Sequence, residues 1–186
     1  ALGMKSMMPV AILEYPKEFE PLVPDAQPVH QLGRLTIVPG PNVAVDDKQL
    51  FHLATEVLRA TVNTYPEVDY YALALPEFVS WTDVYEDAWN HLVGKYGSIG
   101  DITLESILED ALKQGEAIYT GIGGGAERSV KELKGGLAAL YFMDKLINDP
   151  QVLAPTKKPG ALFIQATCEW LYPLLGRILP EGSLAS

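Results

Sequence analysis

The sequence has one cysteine, three histidines and fewer cations than anions, and each shortage closes off a class of function. A lone thiol, Cys168, cannot form an internal disulfide, so cysteine usage leaves the compartment open. His30, His52 and His91 show no metal-ligand spacing, and neither a metal nor a cofactor is expected. Lys and Arg number 14 against 24 Asp and Glu, for a formal net charge of -10. Such a charge repels phosphate backbones and argues against a nucleic-acid partner, but it leaves neutral ligands such as sugars open. No apolar run approaches a membrane span, because charges or Pro and Gly interrupt every candidate, so no membrane is expected. There is no G-x-S-x-G elbow, internal repeat or low-complexity segment.

What is present is a core. Of 186 residues, 48% are hydrophobic and 20% charged, ample for a single globular domain. The chain opens on ALGMKSMMPV, with neither an initiator Met nor the layout of a signal peptide. Ala1 and Leu2 followed by Gly3 resemble the last turn of a helix. The other end, ILPEGSLAS, stops in a turn-rich stretch where another strand could begin. The expectation is an internal piece of a longer protein.

Met7 to Leu13 is a continuous apolar run, which suits a strand covered on both faces in a parallel sheet. Residues 16 to 34 hold four prolines and read as a long loop with a helical turn near Lys17 to Phe19. Leu35 to Val38 is a short strand or part of the same loop. Asp46 or Asp47 caps a helix whose Leu50, Leu53, Ala54, Val57, Leu58 and Thr61 form one stripe. The strand Tyr70 to Leu75 follows, completing a βαβ crossover for which a right-handed connection is expected.

Further helices are expected after Trp81, from Asp101 to Gly115, and from about Glu127 to Ile147. In the last, Gly135-Gly136 marks a kink or a close contact. Ala161 to Ala166 is the third clear apolar run, and a final helix, Leu171 to Leu179, carries Pro173 in its first turn.

The three apolar runs each end near a glutamate beside an aromatic: Glu14-Tyr15, Glu77-Phe78 with Trp81, and Glu169-Trp170. If the runs are parallel neighbours, the three carboxylates share one rim. Glycoside hydrolysis needs two carboxyl groups, one protonated as acid and one ionised as nucleophile or base. Crowded carboxylates shift each other's pKa and provide that division. Aromatic faces beside them suit the C–H faces of sugar rings. The plainer reading is that these glutamates are solvated rim residues or helix-start charges.

Gly121-Ile122-Gly123-Gly124-Gly125-Ala126 formally fits the dinucleotide fingerprint G-x-G-x-x-A. The preceding run is short and no second strand brings an acid at the right distance, which favours a glycine hinge between helices. His30, in the long loop beside Gln31, is the one histidine placed to meet a ligand.

The run GMKSMMPVAILEY, the long loop, and the helix ending NTYPEVDYYALALPEF together resemble the middle of a (β/α)8-barrel glycoside hydrolase of the α-glucuronidase and α-N-acetylglucosaminidase type. The resemblance covers Gly3 to Trp81, and the remainder follows by architecture. It implies a partial (β/α)8 barrel, an α/β fold of parallel strands. Met7 to Leu13 would be its third strand and Ala161 to Ala166 its fifth, with Glu77 the acid/base ending the fourth. Pro76 stands where many retaining barrels carry Asn. The segment of about 98–160 would be a helical insertion in a single domain 1–186. The remainder of the barrel would come from flanking sequence, since a whole one takes about 250 residues.

The expected function is therefore glycoside hydrolysis of a carbohydrate substrate. Glu77 and Glu169 are the catalytic candidates, and Glu14, Tyr15, His30, Phe78, Trp81 and Trp170 the substrate-binding ones. The alternative is a non-catalytic α/β module that binds carbohydrate, or nucleotide through the glycine turn.

Overall fold

A computed structural model of the chain describes residues 3–31, 33–74, 81–118, 125–153, 162–165 and 169–185. In chain order the elements are β1 (Met7–Val10), β2 (Tyr15–Pro16), β3 (Gln27–Gln31), β4 (Arg34–Val38), α1 (Lys48–Thr64) and β5 (Tyr70–Ala74). There follow α2 (Tyr85–Tyr96), α3 (Leu104–Ile118), α4 (Gly125–Ile147), α5 (Pro150–Leu153), β6 (Leu162–Gln165), α6 (Tyr172–Ile178) and β7 (Leu184–Ala185). The chain divides into two compact units. One is Ala1–Ala74 with Met143–Gln165 and Leu179–Ser186; the other is Leu75–Phe142 with Ala166–Ile178.

The first unit is built on a four-stranded sheet, β1-β5-β6-β7, in which every neighbouring pair is parallel. Its strands are apolar because they are covered: Val10, Tyr71, Leu73 and Leu162 are all buried. The connection from β1 to β5 includes α1, whose start is fixed by Asp47, the carboxylate accepting from the Leu50 amide at 2.7 Å. Leu50, Leu53, Ala54, Leu58 and Val62 form its buried face, so the stripe passes through Val62 where periodicity had placed Thr61. α5 lies against α1, with Val152 fully buried.

A second sheet, β2-β4-β3, is antiparallel and occupies much of the stretch expected to be loop. Leu35 to Val38 belongs to its central strand, and Ile37 and Val38 are buried. Gly33, at φ 76, stands in the turn between β3 and β4, where a left-handed backbone favours glycine. A six-residue 3-10 turn, Lys17–Leu22, follows β2.

The second unit is helical. Its buried apolar residues include Ala88, Trp89 and Leu92 of α2, Ile107 and Ala111 of α3, Leu133 and Leu137 of α4, and Leu174 and Leu175 of α6. α3 is capped by Thr103 rather than Asp101: the Ser106 amide donates to Thr103 Oγ1 at 3.2 Å, and the Thr103 amide donates to Ser106 Oγ at 3.0 Å. α3 also continues through Gly115, the residue expected to end it. Arg177 of α6 closes the carboxyl end of α2, its Nη1 donating to the carbonyls of Tyr96 and Gly97 at 2.9 and 3.0 Å. The glycine pair in α4 marks a close contact, since a Cβ on Gly136 would meet Leu171 Cδ1 at 2.8 Å.

The expectation of a partial (β/α)8 barrel is overturned. The described strands form an open parallel sheet together with a separate antiparallel one, and no barrel-like closure is found among the described residues. A barrel consists of parallel strands whose tilt and stagger bring the last against the first. Here β1 and β7 end the hydrogen-bonded order, and β7 has two residues. The helical body also extends outside 98–160, taking in α2 and α6.

Candidate functional site

The carboxyl edge of the parallel sheet is the place to look, because there every strand delivers its chain to the same side. The register is tight. Val10 pairs with Leu73, and Leu73 pairs with Ile164, so the three stand abreast. Glu14, Glu77 and Glu169 follow these residues by four, four and five positions. The condition set by the sequence, that the three apolar runs be parallel neighbours, is met.

Glu14 lies in the short link from β1 to β2. Ile12 and Leu13 before it and Tyr15 after it are buried at 2%, 3% and 3% exposure, and Glu14 is half-buried. The Tyr15 hydroxyl donates to the Ile12 carbonyl at 2.6 Å, and its ring lies 6.2 Å from that of Phe19. Burial pushes the Tyr15 phenol well above its usual range, so it stays a neutral donor. Its ring therefore offers little face to a ligand.

Glu77 and Phe78 lie outside the described residues, as does Cys168. The chain is described again from Trp81, which is 7% exposed and stacked on Phe142 with ring centroids 5.7 Å apart. Its backbone is left-handed, φ 62 and ψ 23, and its carbonyl accepts from the Val84 amide at 3.1 Å. Glu169 opens a 3-10 turn, Glu169–Leu171, though its side chain is not among those described; Trp170 is half-buried.

His30 is exposed on β3, opposite Leu35 of β4. Through the register Tyr15–Ile37–Pro28 it sits two strands across and two residues along from Tyr15, so the two are not brought together. His52 is exposed on α1, and His91 meets Tyr141 edge to face at 4.7 Å. Of the glycine-rich segment, Gly125 and Ala126 open α4, and the rest lies outside the described residues.

Among the described residues no group of three or more His, Cys, Asp or Glu is arranged to hold a metal ion. No described helix is long and apolar enough to cross a membrane. One buried acid escaped the pattern reading. Asp144 is fully buried in α4, and its Oδ1 accepts from Asn148 Nδ2 at 2.7 Å. The signal was there, a single acid inside LAALYFMDKLI, and a buried charge in that setting must be held by hydrogen bonds.

Comparison with protein-family models, with curated proteins and with solved structures finds no match to this chain.

Proposed function

We propose that the chain is a glycoside hydrolase, or the acid-bearing part of one, acting on a carbohydrate through paired carboxylates. One observation supports this best. Three parallel strands end abreast, and each is followed within a few residues by a glutamate with an aromatic beside it. The resemblance of residues 3 to 81 to the α-glucuronidase and α-N-acetylglucosaminidase type points to the same chemistry. In this reading Glu77 is the general acid/base, protonating the departing glycosidic oxygen and then activating water. Glu169 is the ionised partner that supports the developing positive charge at the anomeric carbon.

The test is turnover of a panel of aryl glycosides covering both anomers. Glu77→Gln is expected to abolish hydrolysis, a fall of at least about a hundredfold, with the melting temperature unchanged. Unchanged turnover in that variant removes Glu77 from the mechanism. Sugar binding by the wild type without turnover assigns the chain to the non-catalytic carbohydrate-binding class instead. A wild type that neither binds nor cleaves any member of the panel overturns both readings.

A further inference from the structure

Among the described residues the two sheets leave four strand edges unpaired, β1 and β7 in the parallel sheet and β2 and β3 in the antiparallel one. A free edge is a row of backbone donors and acceptors that a strand of another chain can join. β2 and β7 have two residues each, and Pro16 is one of the two in β2, so neither offers a ladder. β1 and β3, at four and five residues, are long enough to do so. Each carries a proline, and the hydrogen-bond phase places both prolines on the outer side.

In β1 the phase is set by the Tyr70 amide, which donates to the Ser6 carbonyl at 3.1 Å. With Met7 opposite Tyr70, the backbone groups of Ser6, Met8 and Val10 turn toward β5, and those of Met7 and Pro9 turn away. In β3 the phase is set by the hairpin. Its turn closes on a hydrogen-bonded pair, Gln31 with Arg34, and bonding then alternates along the ladder. The backbone groups of Val29 and Gln27 therefore turn toward β4, and those of His30 and Pro28 turn outward. Pro9, Pro28 and His30 are all exposed. Each edge thus keeps one outward amide, that of Met7 or of His30, in place of a pair.

We infer that Pro9 and Pro28 close the two long strand edges to strand addition, so that no second copy of this chain extends either sheet. The inference is independent of the function proposed above. A docking strand needs successive outward donors to hold its register. Opposite the proline it meets no donor, and its own carbonyl there is left without a partner.

The test compares wild type with Pro9→Thr and Pro28→Thr by sedimentation across a concentration series. Threonine restores the amide and suits a strand without adding apolar surface. Pro24→Thr, in the turn ahead of β3, controls for the loss of a proline outside any strand. Each strand variant should self-associate about tenfold more tightly than wild type, as two hydrogen bonds added across a symmetric pair would give, and Pro24→Thr should match wild type. Strand variants that keep the wild-type mass throughout, with an unchanged melting temperature, would overturn the inference. Hydrogen exchange of the wild type tests the same point should a variant not fold. The Met7 and His30 amides should exchange fast at every concentration. Protection of either that grows with concentration would place a strand on that edge and overturn its closure.

Discussion

Ser6 and Asp69 bond to each other in both directions. The amide and hydroxyl of Ser6 donate to Asp69 Oδ2 at 2.8 and 3.0 Å, and the Asp69 amide donates back to Ser6 Oγ at 3.0 Å. Lys5 adds an ion pair to Oδ1 at 3.2 Å. The clasp joins the residues just ahead of β1 and β5, and so sets the register that brings Val10 and Leu73 abreast at the other end. The Ser6 amide above all, with the Lys5 and Ser6 side chains, holds the Asp69 carboxyl down to about 2 from an ordinary 3.8.

A pH dependence follows from that shift. The folded value lies below the unfolded one, so the unfolded chain binds the extra proton in the interval between them. The stability supplied by the clasp is therefore full above the unfolded value of 3.8 and lost as the pH falls through about 2. In urea titrations from pH 6 to 2, wild type should exceed Asp69→Asn by a constant margin down to about pH 4. Below that the margin should shrink. A margin that stays level to pH 2 would show that the carboxylate charge contributes nothing.

Two glycines of the helical unit should respond to alanine with opposite sign. Gly115 of α3 faces α4, and a Cβ there would meet Ser129 Oγ at 2.6 Å and Ala126 Cα at 2.8 Å. The second contact is with backbone and cannot be relieved by a rotamer change. Gly94 of α2 has nothing within 4 Å of a Cβ and no positive φ. Gly94→Ala should stabilise the protein by about 0.5–1 kcal/mol through helix propensity alone. Gly115→Ala gains the same propensity but meets an overpacking cost of about 1–3 kcal/mol, and should destabilise. Denaturation midpoints of the two variants decide the matter. A stabilised Gly115→Ala would mean that α3 and α4 are not this close.

The same contrast shows what the sequence could and could not convey. α1 was legible because its apolar positions recur at helical spacing for 17 residues behind an Asp cap. Three of the four described strands of the parallel sheet were legible as continuous apolar runs, although the first run overshoots; the two-residue β7 lies in the stretch read as turn-rich. β1 ends at Val10, and Ile12 and Leu13 are buried in the bend instead. β3 was not legible, because QPVHQ has no apolar alternation and carries a proline. Only its pairing with β4, a long-range fact, makes it a strand. Sheet closure is longer-range still, and the barrel implied by the resemblance of residues 3 to 81 is one that the described strands do not form. At the candidate site, the order of the glutamates along the chain was readable. The burial of Tyr15 and Trp81 was not, since an aromatic beside a strand-end acid can face ligand or core equally well.

Trp81 supplies the sharpest test of that last point. A left-handed backbone costs a non-glycine residue about 1–2 kcal/mol, and the stacked, buried ring at Phe142 is what offsets it here. Trp81→Ala keeps the strain and loses the ring, for an expected loss of about 3–5 kcal/mol. Trp81→Gly loses the same ring but adopts φ 62 without strain, so it should be more stable than the alanine variant by about 1 kcal/mol. Trp81→Phe, which retains an aromatic face for Phe142, should be the most stable of the three. Urea unfolding of the set gives the order. An alanine variant at least as stable as the glycine one would mean that the left-handed turn relaxes once the ring is gone. Trp81 would then not be what holds the left-handed turn ahead of α2.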